Sequence, residues 1–165
     1  MPSDAFVSYT RLKDQFKSVT KFVERLQNQL RRKSGNVLFS VFQDRSHISP
    51  GEKWPDKLAA EVQAAKVLVV LLSPTWIKST WCKAEYSLFT KVKQPRQKKR
   101  IIVPLLWDSF PPAHLLPLDD EESRILAELR KIHYADWSTL QYDTWSATRP
   151  NKALSALAES IIKRL

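Results

Sequence analysis

The stretch Val67-Leu68-Val69-Val70-Leu71-Leu72-Ser73-Pro74-Thr75-Trp76-Ile77-Lys78-Ser79-Thr80-Trp81-Cys82-Lys83-Ala84-Glu85-Tyr86 decides the architecture. Its first six residues are apolar at every position, and such a run suits a strand buried on both faces, as in a parallel sheet covered by helices. Ser73 then offers a side-chain oxygen to the free N–H groups of a helix start, and Pro74 suits the first helical position, which needs no donor. A helix is therefore predicted from Ser73-Pro74, or restarting at Ser79. Ile77, Trp81, Ala84, Leu88 and Val92 recur every three or four residues and mark its apolar stripe. Glu85 interrupts that stripe one turn after Trp81, at a position where a hydrophobic residue is expected.

Working outward, four more runs rich in β-branched and aromatic residues read as strands: Ala5 to Tyr9, Val37 to Phe42, Ile101 to Trp107 and Lys131 to Tyr134. Helical spacing links Phe16, Val19, Val23, Leu26 and Leu30, then Trp54, Leu58, Val62 and Ala65. It returns more weakly at Ile125, Leu126 and Leu129, and again at Leu154, Leu157, Ile161 and Leu165. Strand and helix alternate five times, which predicts an α/β fold: a flavodoxin-like five-stranded parallel sheet with helices on both faces. In that order the sheet reverses direction between its first and third strands, and ligands settle outside the carboxyl ends of the strands there. The loops after Tyr9 and Leu72 are expected to flank the site.

At 165 residues the chain fits one domain able to bury roughly two-thirds of its unfolded surface. No apolar run approaches the roughly 20 residues of a membrane-spanning helix, and Met1-Pro2-Ser3-Asp4 passes into a strand-like run without the features of a signal peptide. The lone Cys82 cannot form an internal disulfide. These features read as cytoplasmic, with no membrane partner. The 27 basic and 17 acidic residues leave a net charge of +10, which draws the chain towards polyanions. Arg31-Arg32-Lys33 and the group Lys91, Lys93, Arg96, Lys98, Lys99 and Arg100 lie near helix ends and read as solvated basic faces. No aromatic residues interleave with them, so no specific nucleic-acid platform is expected.

Absences narrow the chemistry. With Gly35 and Gly51 as the two glycines, neither a G-x-G-x-x-G nor a G-x-x-x-x-G-K loop can be written, which removes Rossmann-type dinucleotide and P-loop nucleotide binding. His47, His114 and His133 lack metal-ligand spacing and Cys82 has no cysteine partner, so no metal site is expected. A nucleophile elbow is missing as well.

Ser79-Thr80-Trp81-Cys82-Lys83-Ala84-Glu85 reads S-x-W-C-x-x-E, and in this the stretch resembles the conserved-box segment of Toll/interleukin-1 receptor (TIR) domains, the bacterial and plant-like ones above all. Asp4-Ala5-Phe6-Val7-Ser8-Tyr9 resembles the first TIR box. Phe42-Gln43-Asp44-Arg45 through Ile48-Ser49-Pro50-Gly51-Glu52-Lys53-Trp54 resembles the BB loop. Three boxes in order span most of the chain. Tyr86 departs from the pattern, standing where an aliphatic residue is common.

Position alone leaves two readings of Glu85: a functional carboxylate, or the partner of a nearby Arg or Lys in a structural ion pair. The resemblance favours the first, because it implies NAD+ glycohydrolase activity with this glutamate as the catalytic residue. One carboxylate suffices in principle, since the nicotinamide of NAD+ is already cationic and departs neutral without a general acid. Ser8, Tyr9 and Arg11 leave the first strand at the switch point, where Arg11 is the preferred anchor for phosphate or ribose oxygens and nearby Lys13 the substitute. Trp76 or Trp81 could stack on the ligand, although helical spacing favours a core position for Trp81. Asp44 and Arg45 open the loop that, by resemblance, covers the cleft and contacts neighbouring TIR domains. The expected enzyme uses NAD+ as substrate, needs no cofactor, yields ADP-ribose or a cyclic variant, and acts once self-assembled, as bacterial TIR proteins do in antiphage defence. The competing reading is a non-enzymatic TIR adaptor working through TIR–TIR contacts, a class that generally lacks the glutamate. The chain starts at the first box and ends with the fifth helical pattern, as a domain cut from a larger protein would.

Overall fold

The apolar run Val67–Leu72 is a strand, β3, with every residue buried at the centre of a parallel sheet. The computed structural model describes residues 2–44, 55–91, 99–144 and 147–165, and of residues 13–16 the backbone alone. β3 pairs with β1 (Ala5–Ser8) on one side and with β4 (Ile101–Leu106) on the other; β2 (Val41–Gln43) flanks β1 and β5 (Ala135–Asp136) flanks β4. The order is β2-β1-β3-β4-β5 with all pairs parallel, so the sheet reverses direction between β1 and β3 as the alternation predicts.

Two cores explain why β3 shows no polar alternation, because successive side chains point to opposite faces and both faces are covered. Val67, Val69 and Leu71, with Ala5, Val7, Val103 and Leu105, pack against Val19, Phe22, Leu26 and Leu30 of α1 (Lys13–Ser34) and Leu154, Ala158 and Ile161 of α6 (Thr148–Arg164). Leu68, Val70 and Leu72, with Phe6, pack against Leu58 and Val62 of α2 (Asp56–Ala64), Trp76 and Ile77 of α3 (Pro74–Lys78), Cys82, Tyr86 and Phe89 of α4 (Thr80–Lys91) and Ile125, Leu126 and Leu129 of α5 (Asp120–Lys131). Ser8 follows Phe6 by two residues and so shares the face that α4 covers. None of the described helices is long and apolar enough to cross a membrane.

Several elements differ from the sequence expectation. The second strand begins at Val41 rather than Val37, and Val37 and Leu38 are exposed. The cause lies at Gly35, whose left-handed φ of 71° ends α1, and at Asn36, whose side chain accepts the Leu38 N–H at 3.0 Å and holds a turn there. The last strand is Ala135–Asp136 rather than Lys131 to Tyr134, because α5 continues through Lys131. The third helical stripe is divided between α3 and α4. Ser79 is extended between them, and its Oγ accepts the Cys82 N–H at 3.2 Å, starting a new helix. The break resets the helical phase: α4 buries Cys82, Glu85, Tyr86 and Phe89 instead of a stripe through Trp81 and Leu88. Trp54 and Val92, and the side chain of Phe16, lie outside what is described.

Candidate active site

Ser73 caps α3 as its sequence predicts, accepting the Trp76 N–H at 3.0 Å with Pro74 in the first turn. This cap fixes the start of the segment that carries Trp76, and the restart at Ser79 then carries Glu85 under the carboxyl end of β1. There Ser8 Oγ donates to Glu85 Oε2 at 2.5 Å, and Arg11 Nη2 stands 3.8 Å from Glu85 Oε1. Glu85 is 2% exposed and Ser8 fully buried.

Arg11 also pairs with the Asp44 carboxylate through the same nitrogen. Tyr9, itself buried, donates its hydroxyl proton to the Asp44 carbonyl oxygen at 2.5 Å and receives the Gln43 side-chain N–H at 3.3 Å. Gln43 reaches on to Thr20 of α1 at 3.0 Å. The Cys82 thiol donates to the Tyr9 carbonyl at 3.4 Å. The ends of β1 and β2 are thereby tied to one another and to α4, and Arg11 is held between two carboxylates. Its Nε is buried without a hydrogen-bond partner among the described residues.

Two buried carboxylates in this fold behave in opposite ways. Glu122 accepts from Lys78 at 2.8 Å, from Lys83 at 3.2 Å and from the Asp119 N–H at 3.0 Å, and these donors hold it at about 2. Glu85 is pushed up to about 8, chiefly by burial and to a lesser degree by the Asp44 charge, against the opposing pull of Ser8 and Arg11. Desolvation wins because the one cation paired with Glu85 among the described residues, Arg11, is 3.8 Å away and engaged with Asp44. Burial, with the neighbouring Glu85 charge, likewise pushes the Cys82 thiol far up, so it stays neutral.

The structure brings Ser8, Tyr9, Arg11, Asp44 and Glu85 together. Arg45 and the side chain of Lys13 lie outside the described residues. The two tryptophans exchange roles relative to expectation: Trp76 is fully buried and Trp81 half-buried. Trp76 presents no face on which a ligand could stack, since its ring meets Tyr86 edge-on at 6.2 Å and its Nε1 donates to Ser8 Oγ at 3.0 Å. Tyr86, the departure from the family pattern, uses its hydroxyl to bridge to Glu128 of α5 at 2.6 Å. Sequence reasoning missed the Trp76–Ser8 contact, and no local signal encodes it, because the two residues are 68 positions apart.

A family model for the TIR domain matches residues 6–152. No curated protein matches the chain. Among solved structures, the TIR domains of the activated Roq1 resistosome that directly recognises the pathogen effector XopQ superpose with a TM-score of 0.61 at 20% identity, covering 96% of this chain and 99% of that one. The TIR domain of the Toll-related receptor TRR-2 from Hydra magnipapillata gives 0.52 at 15% identity, covering 95% and 98%. At these identities the likeness speaks for the fold, while the family match extends from Phe6 in β1 into α6 and takes in the first box from Phe6 onward and the other two whole; the chain belongs to the TIR-domain family.

Proposed function

We propose that this TIR domain is an NAD+ glycohydrolase in which Glu85 is the catalytic residue, releasing nicotinamide and ADP-ribose or a cyclic variant, in a cytoplasmic, bacterial antiphage setting. The observation that carries the reading is the setting of Glu85: a carboxylate at the sheet's switch point, buried, with the Arg11 guanidinium 3.8 Å away and shared with Asp44, and pushed up to about 8. Glu122, by contrast, is buried with two lysines of its own, Lys78 and Lys83. Glu85 instead has a vacant demand for positive charge, which the cationic nicotinamide ribosyl group and the oxocarbenium-like transition state would meet in a dry site. Arg11 is the more exposed member of the Arg11–Glu85 pair, 19% against 3% by side chain, and its guanidinium suits a phosphate or ribose oxygen of the incoming dinucleotide. Incubating the purified chain with NAD+ and identifying the products tests the reading; no cleavage under concentrated, assembled conditions overturns it.

Ionised Glu85 is the active form, so kcat/KM is expected to rise with pH through about 8. The bound substrate brings a positive charge next to the carboxylate and favours ionisation, so kcat should level off at lower pH than kcat/KM. A kcat/KM that stays flat from about pH 6 to 9 would contradict this assignment.

Activity is further proposed to depend on assembly with other TIR domains through the segment from Asp44 to Lys53, of which Asp44 is among the described residues. Asp44 holds Arg11 beside Glu85, so a neighbouring copy that engaged this segment would act directly on the site. Chains of charge +10 repel one another when dilute. Specific activity should therefore rise with protein concentration, and Gly51→Pro should depress it. Constant activity per molecule from dilute to concentrated solution would count against assembly.

One observation favours the adaptor reading: Glu85 is 2% exposed and already bonded to Ser8, as a purely structural glutamate would be. The product assay separates the two.

A further inference from the structure

Trp76 lies beneath the site, fully buried, with its indole N–H on Ser8 Oγ at 3.0 Å, and the same oxygen is 2.5 Å from Glu85 Oε2. An indole N–H can donate only, whereas a serine hydroxyl has one proton and two lone pairs. With one lone pair filled by Trp76, the arrangement that completes both bonds directs the Ser8 proton at Glu85. The reverse arrangement, in which a protonated Glu85 donates to Ser8, strands the hydroxyl proton against the Cys82 sulfur, a weak acceptor. We propose that Trp76 is a positioning residue which, acting through Ser8, holds Glu85 as a hydrogen-bond acceptor and so sets the pH at which the site ionises.

Among the described residues, the polar and titratable groups facing Glu85 come from four places. Ser8 is on β1, Arg11 on the loop after it, Asp44 after β2, and Cys82 one turn earlier on α4. Arg11 and Asp44 act on Glu85 through charge and in opposite directions. Cys82 stays neutral. Ser8 alone among the described residues donates a hydrogen bond to Glu85, so the direction of its proton is the local control. Free of Trp76, the hydroxyl can turn and accept from the protonated acid, which favours the neutral form.

The inference rests on Glu85 carrying the chemistry, and its test separates the two. Carbon-13 glutamate labelling with infrared difference spectra against Glu85→Gln gives the Glu85 titration without any turnover. Trp76→Phe removes the donor and keeps an aromatic ring against Tyr86, and is expected to raise the Glu85 midpoint by about one unit. Ser8→Ala, which deletes a single oxygen, should raise it at least as far. The rising limb of kcat/KM should move by the same amount: activity about tenfold below wild type at pH values under the limb, and within about threefold above it. A packing defect would instead lower the rate evenly at every pH. If Trp76→Phe does not fold, Ser8→Ala decides. An unchanged midpoint in the folded variants overturns the proposal. A chain that shows the shift but never cleaves NAD+ upholds the relay and removes the glycohydrolase reading.

Discussion

Glu85→Gln is expected to abolish NAD+ cleavage, with a loss in kcat of at least about 10²–10³-fold, while the protein stays folded. The amide keeps the shape that fits beside Ser8 but cannot balance the positive charge of the departing nicotinamide or of the ribosyl transition state. The same variant carries a second expectation. Glu85 is at about 8 in the folded chain against an ordinary 4.5, so between those values the folded state holds a proton that the unfolded state has released. Protonated Glu85 therefore stabilises the fold at low pH. That contribution is fully present below the unfolded value and is lost as pH climbs towards about 8, by up to about 1.4 kcal/mol per unit. The Gln variant has no such slope. Its melting temperature should match wild type near pH 5 and exceed it increasingly up to about pH 8. Glu122, held at about 2, stays ionised across that window in both proteins and cancels. Full activity in folded Glu85→Gln sinks the catalytic assignment, and parallel melting curves across this range sink the electrostatic one.

Much of this fold is legible because burial on both faces leaves an unmistakable mark. Val67–Leu72, short, rich in valine and apolar throughout, reads as an interior strand, and the Ser73-Pro74 start encodes its own cap. What sequence reasoning misplaces are positions where a short polar side chain redirects the backbone. Ser79 resets the helical phase and exchanges Trp76 for Trp81 in the core, while Gly35 and Asn36 delay β2 to Val41. α5 looks weak by its apolar stripe alone, yet Asp119 and Glu122 form a reciprocal capping box, a signal present in the sequence as Asp119-Asp120-Glu121-Glu122.

The site divides along the same line. Glu85 betrays itself locally as a carboxylate in an apolar stripe. Its partners do not, since Ser8 is 77 residues away, and Asp44 meets Arg11 across 33. Only the β2-β1-β3 order brings those chain ends together. The predicted switch point places Ser8 and Arg11 beside the site, but nothing in their spacing shows that Ser8 bonds to Glu85. The TIR boxes mark the neighbourhood, while the hydrogen bonds within it depend on how the fold brings these chain ends together.

Arg100→Ala is expected to be strongly destabilising, although Arg100 ends a basic run that reads in sequence as a solvated face. The guanidinium is half-buried and donates to three carbonyls: Val62 at 2.8 Å, Phe89 at 3.0 Å and Ala65 at 3.1 Å. These belong to the C-terminal ends of α2 and α4, where helices leave their last carbonyls without backbone donors. Val62 illustrates the need, because Lys66, four residues on, gives its N–H to Asp4 instead at 2.8 Å. The same group lies 3.9 Å above the Phe89 ring, adding a cation–π contact, and burial lowers its pKa, the sign of a cation drawn out of water. Charged hydrogen bonds of this kind contribute about 1.5–3 kcal/mol each when their loss strands a partner, less where water can reach the carbonyl. A total loss of about 3 kcal/mol, or roughly 6–12 °C in melting temperature for a domain of this size, follows. Arg100→Lys should recover less than half, because a single ammonium cannot span carbonyls on two helices in the fixed fork that a guanidinium provides. Since Arg100 immediately precedes β4 and locks α4 by its far end, the Ala variant should retain the pH limb of Glu85 while melting early. A melting temperature within about 2 °C of wild type would show that water caps both helices as well as Arg100 does.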